Sequence, residues 1–297
     1  MESTDTVVLS DDYAAVRSAT EAFSAELDAS LSEDGIDLPS LPEVALKIRD
    51  TLARDDTDIE RVAELAAGDP ALAAKLLKVA NCALFHRGTQ PVRDLRSAVV
   101  RLGLRMVRNV AMSIAAQQVF IGYGSKAIRP RLAEVWHHSV HVATLAHLLS
   151  AASDDILPEE AFLAGLLHEV GTLYILLRAK DHDELFANAE AFDAVLLAWK
   201  ARMGAGIAAH WRFPDSLVAA VGEHDAVSLA AGPQPSLTEI VAVSNYLAER
   251  ISAADNPAAL LDDLPDLGTL ALDPDMLEQL IAASSDDLKA LQDALAA

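Results

Sequence analysis

Apolar residues recur every three or four positions through most of this chain, which is the spacing of one buried face on an α-helix. In residues 131–150 the apolar positions share one such face, namely Leu132, Val135, Val142, Leu145 and Leu149. Residues 159–168 are apolar on nearly all sides, which predicts a central helix enclosed by others. The alternations of Val, Ile, Thr and Tyr that are typical of strands are absent. The pattern therefore predicts an all-α fold with no significant sheet.

Helix starts are marked by side chains that can accept hydrogen bonds from the free N–H groups of a first turn. Three pairs fit the capping box, in which a Ser or Thr and a later Glu bond reciprocally: Ser40 with Glu43, Thr57 with Glu60, and Ser236 with Glu239. Asp69 precedes Pro70, as an N-cap precedes the first helical position, and predicts a helix to about Asn81. Asp94 or Ser97 opens a further helix that Gly103 interrupts.

Glycine and proline separate the ends of the chain from its main body. Residues 1–37 form an acidic extension with one predicted helix over roughly 11–32, followed by a break at Gly35. The run Gly232-Pro233-Gln234-Pro235 is a loop signal, because proline fixes the backbone and removes a donor. The residues after it, 233–297, are predicted to form acidic helices that pack on the second half of the body.

The chain carries a formal net charge of −22 at pH 7, yet this charge is unevenly spread. Residues 1–38 hold ten acidic residues and one basic residue, and residues 233–297 hold twelve and two. By contrast, residues 75–131 hold eleven Lys or Arg against the single acid Asp94. A protein of this overall charge is repelled by nucleic acid and by anionic membranes.

Composition indicates a cytoplasmic protein with a large core. Hydrophobic residues make up 52% of the chain, and Cys82 is its one cysteine, which fits a reducing compartment. The first residues are acidic and polar and lack the basic flank and apolar stretch of a secretion signal. We find no run of about 18 apolar residues and therefore expect no membrane span.

The basic centre predicts a surface for anions or partners. Its candidate residues are Lys75, Lys78, Arg93, Arg96, Arg101, Arg105 and Arg108. Arg101, Arg105 and Arg108 follow the i, i+4, i+7 spacing of one helical stripe. Three hypotheses remain open: an ordinary solvated face, a site for a nucleotide, phosphorylated partner or acidic protein, and a surface masked by the acidic ends of this chain.

Residues 58–81 have the helix, turn, helix order of a DNA-reading unit, but their chemistry opposes that function. The first helix and the turn carry Asp58, Glu60, Glu64 and Asp69. These carboxylates repel phosphates. The second helix begins with Ala71, Leu72 and Ala73, which cannot bond to base edges. We predict no binding to DNA.

Four histidines are candidates for chemistry: His138, His168, His210 and His224. His168 and Glu169 end an apolar helix, where two titratable groups cost free energy unless they find partners. An adjacent histidine and carboxylate can both ligate one divalent metal. His137 and His141 lie four residues apart and could add ligands, but we predict that they are ordinary surface histidines.

Several ordered motifs resemble a known family. Trp136-His-His138-Ser139 and Ala164-Gly-Leu-Leu-His168-Glu169-Val-Gly171 resemble the HD superfamily of metal-dependent phosphohydrolases. Further motifs narrow the resemblance to its degenerate branch, the HDOD family (HD-related output domain) of bacterial signalling proteins: Leu38-Pro-Ser-Leu-Pro42, Gly68-Asp-Pro-Ala-Leu72, Leu77-Lys-Val-Ala-Asn81, Ala98-Val-Val-Arg-Leu-Gly103, His210-Trp-Arg-Phe-Pro214 and Glu223-His224. The resemblance implies an HDOD-like domain over 38–232, with an N-terminal helical subdomain over 38–125 and an HD-like subdomain over 126–232.

The resemblance also places the degenerate site. His138 matches the first histidine of the HD pattern, and His168 matches the histidine of the His-Asp pair. Glu169 stands where the pair has Asp, and Asn245 stands where the last Asp falls. Lys200 occupies a position that in many relatives is His. His224 also belongs to the matched positions.

This altered pattern predicts a protein without catalytic residues or a cofactor. A two-metal hydrolase needs closely placed anionic ligands that activate a water, and here Asn245 removes one while Lys200 adds a positive charge. The resemblance implies a non-catalytic bacterial signal-transduction module that binds other regulatory proteins. For His138, His168 and Glu169, three interpretations stay open: a buried hydrogen-bonded cluster, a weakly held divalent metal, or a phosphohydrolase with an atypical site.

Overall fold

The structure is a computed structural model that describes residues 5–31, 47–48, 50–51, 58–85, 90–122, 124–126, 128–182, 185–186, 188–225, 234–253, 270 and 274–295. Within these ranges the backbone forms helices and turns, and no strand, which confirms the predicted all-α fold. The longer helices are α1 (Asp5–Ser30), α2 (Ile59–Ala67), α3 (Pro70–Ala80), α4 (Leu95–Gly122), α5 (Arg129–Leu149), α6 (Pro158–Leu167), α7 (Val170–Ala179), α8 (Ala189–His210), α9 (Asp215–Glu223), α10 (Leu237–Ala253) and α11 (Pro274–Leu295).

The first bundle consists of α2, α3 and α4, which pack against one another. Asp69 caps α3 by accepting hydrogen bonds from the N–H groups of Ala71 at 2.9 Å and Leu72 at 3.1 Å, as predicted. Thr57, the predicted cap of α2, lies outside the described residues. Asp58, in an extended conformation, caps α2 by accepting from the N–H of Arg61 at 2.7 Å. The Ser40 pair lies outside the described residues.

Gly103 divides α4 into two segments. Its φ of 76° and ψ of 156° are not helical, and glycine adopts this region at little cost because it has no Cβ. The predicted interruption is therefore confirmed. Asp94 caps the first segment by accepting from the N–H of Ser97 at 2.8 Å.

The second bundle is built around α6 and α7. Every residue from Ala161 to Leu167 is buried, which confirms the predicted central helix. α6 packs on α5 so closely that a Cβ on Gly165 would lie 2.8 Å from the Cα of Ala143. α7 packs against α8, and both α9 and α10 pack against α6.

The apolar segment Pro158–Ala179 corrects one expectation. It is long and apolar enough, by length and composition, to cross a membrane, with a mean hydropathy of 1.4. We expected no such stretch. However, 89% of the 18-residue stretch with this hydropathy is buried inside the fold. The turn at His168 and Glu169 divides the segment into α6 and α7. The segment is the core of the bundle.

The terminal helices pack on these two bundles. α1 lies on α8, where its Phe23 and Leu27 are buried and its Asp28 accepts from Arg202 at 3.2 Å. α10 begins with the predicted capping box, since the N–H of Ser236 donates to Glu239 at 2.6 Å and the N–H of Glu239 to the Ser236 hydroxyl at 3.2 Å. α10 and α11 both contact α5, and α11 also contacts α3.

Candidate functional site

The candidate site is a polar cluster in the turn between α6 and α7. The apolar helix α6 ends just before this turn, and the apolar helix α7 begins just after it. Because both helices are buried, the turn lies in the centre of the bundle. His168 is fully buried, and Glu169, the N-cap residue of α7, is 9% exposed. Burial of these two groups requires polar partners nearby.

Three of the predicted histidines meet in this cluster. The ring of His168 lies 5.3 Å from that of His138 on α5 and 5.0 Å from that of His224 after α9. The Nδ1–H groups of His168 and His224 donate to the carbonyls of Gly165 at 2.6 Å and Val221 at 2.7 Å. A carbonyl can only accept, so the neutral ring of His168 keeps its proton on Nδ1 and presents Nε2 as an acceptor. Nε2 of His168 is buried without a hydrogen-bond partner among the described residues, whereas the buried Nε2 of His224 lies 3.5 Å from Glu169 Oε1 and 3.5 Å from Asp225 Oδ1.

The environment keeps His168 neutral. Burial lowers the pKa of this imidazole well below its usual range, and the neighbouring His224 lowers it further. Proximity to the Glu169 carboxylate acts in the opposite direction but is outweighed.

Glu169 and Asp225 share the ammonium of Lys200. The Nζ of Lys200 lies 3.0 Å from Glu169 Oε1 and 2.9 Å from Asp225 Oδ2. The other oxygen of Glu169 accepts from the Thr172 hydroxyl. Burial alone would raise the pKa of Glu169, but contacts with His224, His168 and Lys200 outweigh it and hold that pKa below its usual range. The cluster therefore contains a buried carboxylate neutralised by a lysine.

Asn245 completes the cluster from α10. Its Oδ1 accepts a hydrogen bond from Nε2 of His138 at 2.8 Å, and the residue is 6% exposed. This bond occupies the ring nitrogen that a metal would otherwise take. The structure thus brings together six matched positions: His138, His168, Glu169, Lys200, His224 and Asn245.

These residues do not fit a two-metal centre. His138 is bonded to Asn245, both oxygens of Glu169 are engaged, and the Lys200 ammonium already supplies a positive charge beside them. In the described part of the chain, no group of three His, Cys, Asp or Glu is arranged to hold a metal ion. Of the histidine nitrogens in this cluster, Nε2 of His168 has no hydrogen-bond partner, and Nε2 of His224 lies 3.5 Å from the carboxylates of Glu169 and Asp225.

The polar cluster opens to the surface through a cleft, and the mouth of this cleft is acidic. A cavity of about 430 Å³ opens beside Lys200, and three carboxylates outside the cluster line it: Glu134, Asp193 and Glu249. Asp193 is paired with Arg131 at 2.5 Å. Leu197, also in the lining, is 71% exposed. The negative charge at this mouth opposes the entry of phosphate groups.

Other predicted histidines lie elsewhere. His210 is exposed at the end of α8 and takes no part in the cluster, and His137 is exposed as predicted. The prediction for His141 is wrong, because it is 5% exposed. α5 packs against α6, α10 and α11, and every residue from Ser139 to Ala146 is buried. Burial, with a contribution from His138, lowers the pKa of His141 to about 4.

The predicted arginine stripe is also wrong. Because the non-helical Gly103 lies between them, Arg101 and Arg105 do not follow one continuous helical face. Arg101 instead donates to the carbonyls of Ala80 at 3.2 Å and Gln90 at 2.9 Å.

The remaining basic candidates differ in their contacts and exposure. Arg96 pairs with Glu60 at 2.6 Å, and Lys75 donates to Gln117 at 3.0 Å and to the carbonyl of Leu295 at 3.5 Å. Lys78 and Arg93 are exposed, whereas Arg105 and Arg108 line a separate cavity.

Two members of the site were missed by sequence analysis. Asp225 binds Lys200, and Thr172 binds Glu169. The adjacency of Asp225 to His224 was the one available signal for the first. Thr172 lies one turn after Glu169 in a largely apolar helix, and that polar position was the signal for the second.

A helical bundle with histidines from separate helices around an acidic turn defines an HD-type fold, and comparison with known proteins gives the family. The family model described as HDOD domain matches residues 38–227. The chain therefore belongs to the HDOD domain family.

Solved structures share this fold. A candidate metal-dependent phosphohydrolase from Shewanella amazonensis SB2B is 25% identical, with a TM-score of 0.74 over 94% of this chain and 99% of that one. An HDOD domain protein of unknown function from Geobacter sulfurreducens is 23% identical, with a TM-score of 0.66 over 92% and 97%. A candidate signal transduction protein from Marinobacter aquaeolei VT8 is 20% identical, with a TM-score of 0.61 over 96% and 67%.

One curated relative extends beyond the chain. An uncharacterized protein of Treponema pallidum (strain Nichols) is 25% identical over 230 residues, which are 74% of this chain and 44% of the relative. The chain thus spans less than half the length of that protein.

Proposed function

We propose that this protein is a non-catalytic bacterial signal-transduction module, acting in the cytoplasm by binding other regulatory proteins. The observation that carries the proposal is the position of Lys200. Its ammonium lies 3.0 Å from Glu169 and 2.9 Å from Asp225, so a fixed side chain supplies the positive charge that a divalent metal would supply in a hydrolase. Membership of the HDOD family and the fold shared with a candidate signal transduction protein support a regulatory role.

The charge of the molecule favours protein partners over nucleic acid and anionic membranes. With a net charge of −22 and an acidic cleft mouth, the protein repels nucleic acid and anionic membranes. Leu197 offers an exposed apolar side chain at that mouth, where a partner protein can bury it.

The alternative function is a metal-dependent phosphohydrolase with an atypical site. One observation favours it: the Nε2 atom of His168 is buried without a hydrogen-bond partner, and its ring lies 5.0 Å from that of His224. Two imidazole nitrogens are suitable ligands for one transition-metal ion.

Metal analysis and a phosphodiesterase assay with manganese discriminate between the two functions. We expect the purified protein to contain far less than one equivalent of metal and to show no turnover. One equivalent of metal, with turnover that is lost in His168→Ala and retained in the exposed control His210→Ala, would establish the hydrolase instead.

A pull-down from a bacterial lysate tests partner binding directly. The full chain is the bait, and we expect regulatory proteins to be retained by the native chain and lost with Leu197→Asp. The matched control is Val100→Asp on α4, where the native side chain is 54% exposed and lies outside the cleft. If the full chain retains no protein that a tag-only sample does not also retain, the result would contradict a binding function.

A further inference from the structure

A second cavity, separate from the histidine cleft, lies where the two bundles meet. Its volume is about 380 Å³, which is in the size range of small-molecule sites. It is enclosed by the second segment of α4, the start of α6, and the turn between α8 and α9. Met112, Leu163 and Leu217 give it an apolar floor.

Three guanidinium groups line the same cavity: Arg105 and Arg108 from α4, and Arg212 from the turn. In the part of the chain that the structure describes, none of the three forms an ion pair with a carboxylate. Arg108 donates to Asn109 Oδ1 at 3.3 Å, and the amide of Asn109 is fixed in turn by the carbonyl of Glu159 at 2.7 Å. Three guanidinium groups that line one cavity and form no ion pair among the described residues favour an anionic ligand.

Two carboxylates also line the cavity but leave it positive. Glu160 accepts from the Ser216 hydroxyl at 2.9 Å, and Glu159 is half-buried at the start of α6. Three guanidinium groups against two carboxylates give a positive site in a chain of net charge −22. Burial, together with the nearby Arg105, lowers the pKa of Arg108 more than the Glu160 carboxylate raises it, and a bound anion would offset the repulsion between the arginines.

Two aromatic side chains, named the aromatic wall below, line the same cavity as these cations. Trp211 is 7% exposed and Phe213 is half-buried, with ring centroids 6.2 Å apart at an angle of 82°. Arg212 lies between them with a φ of 59°, a left-handed conformation that is unfavourable for a residue other than glycine. The N–H of Phe213 donates to the carbonyl of Ala208 at 3.1 Å and helps to hold this turn.

We propose that this cavity binds a nucleotide, with the phosphate between the arginines and the planar base against the aromatic wall. Guanidinium groups bind phosphate oxygens in pairs, and aromatic side chains stack on bases of any identity. An inorganic anion alone would leave the apolar floor and the wall unfilled. Because the cavity joins α4 to α6 and the α8–α9 turn, an occupying nucleotide would stabilise the contact between the two bundles. The binding is independent of the proposed loss of catalysis, since the two sites share no lining residue.

Isothermal titration calorimetry of the full chain in EDTA tests this site. The probes are AMP, ADP, GMP and GDP, with adenosine, guanosine and inorganic phosphate as the separate parts. We expect at least one nucleotide to bind with one-to-one stoichiometry, at least about tenfold more tightly than its nucleoside or phosphate, because both groups contribute. We expect Arg105→Met and Arg212→Met each to weaken that binding about tenfold or more, since each removes charge-assisted hydrogen bonds.

Arg93→Met is the matched control, because Arg93 is exposed and lies outside the cavity. It should bind the nucleotide like the native chain. Arg105 and Arg212 are exposed, and a thermal unfolding midpoint equal to that of the native chain would verify the fold of each variant. Absence of binding by every nucleotide overturns the proposal, as does binding unchanged in both cavity variants. Phosphate that binds as tightly as the nucleotides would overturn the assignment of a base-binding wall.

Discussion

The ammonium of Lys200 is a buried charge that the cluster keeps charged. Its side chain is only 17% exposed, and this burial acts to lower its pKa. The carboxylates of Glu169 and Asp225 outweigh burial and raise the pKa of Lys200 above its usual value. In turn, the lysine helps to keep Glu169 ionised inside the bundle. Each partner therefore depends on the other.

We predict that Lys200→Met destabilises the protein by about 3 kcal/mol, because removal of one partner leaves a buried carboxylate unpaired. Chemical denaturation at pH 7 measures this change. The control is Arg202→Met on the same helix, where the ion pair with Asp28 joins side chains that are 60% and 64% exposed. Such a surface pair is worth about 1 kcal/mol or less. Equal losses in the two variants would contradict the prediction.

His141 makes stability dependent on pH. Its pKa is about 4 in the folded chain against 6.5 for the free side chain. As pH falls below 6.5, the unfolded chain takes up a proton that the folded chain refuses, so stability decreases until the folded pKa is reached. We predict a loss of up to about 2 kcal/mol between about pH 7 and about pH 5 from this residue alone.

The variant His141→Leu isolates this effect. It removes a buried nitrogen that has no hydrogen-bond partner and abolishes the titration. Denaturation curves at the two pH values should therefore differ less than for the native chain, although His168 keeps its own contribution of the same sign. The exposed His137→Leu on the same helix should leave the pH dependence unchanged. An identical pH dependence in the His141 variant would show that His141 does not titrate as described.

At the scale of elements, the site depends on how closely α7 approaches α8. A Cβ on Gly171 would lie 1.9 Å from the carbonyl oxygen of Lys200 and 2.7 Å from the N of Gly204. Both atoms belong to the backbone, so a side chain cannot fit without separation of the two helices. This contact sets the distance between Glu169 on one helix and Lys200 on the other.

We predict that Gly171→Ala destabilises the protein by about 3 kcal/mol, because the added methyl overpacks a backbone contact. Thermal or chemical unfolding measures the change. Gly68→Ala is the control: Gly68 is exposed, has an ordinary helical φ of −68°, and a Cβ there meets only the Leu65 carbonyl at 3.2 Å. That change should stay within about 0.5 kcal/mol. A similar small effect at Gly171 would contradict the observed approach.

Sequence motifs predicted the structure correctly where that structure depends only on residues close together in the chain. Asp69 and Ser236 cap helices as predicted, because a cap depends on a side chain and the next three N–H groups. The arginine stripe failed since its spacing assumes one continuous helix, and Gly103 changes the direction of the chain between Arg101 and Arg105. A glycine break is visible in a sequence, but the angle that it introduces is not.

At the scale of the whole molecule, the resemblance predicted residues that periodicity could not. His138 and Asn245 are 107 positions apart and still bond at 2.8 Å, as expected from the matched HD positions. Asp225 and the burial of His141 escaped prediction, because both depend on how several helices pack together.

The acidic ends of the chain have separate positions in the molecule. α1 lies on α8, on the second bundle, while α11 reaches the first bundle through the contact between Leu295 and Lys75. Masking of basic residues by the acidic ends stays a prediction. The contact at Lys75 is the point where the C-terminal helix could contribute to it.

The buried segment Pro158–Ala179 has a consequence for biosynthesis. During synthesis this segment emerges from the ribosome after α5, on which α6 packs. It emerges before α8, the helix that covers α7. Until the later helices emerge, a stretch with a mean hydropathy of 1.4 is open to water and to the targeting machinery that recognises apolar segments in nascent chains. Slow translation after residue 179 would prolong that exposure, so chaperone binding during synthesis should concentrate on this stretch.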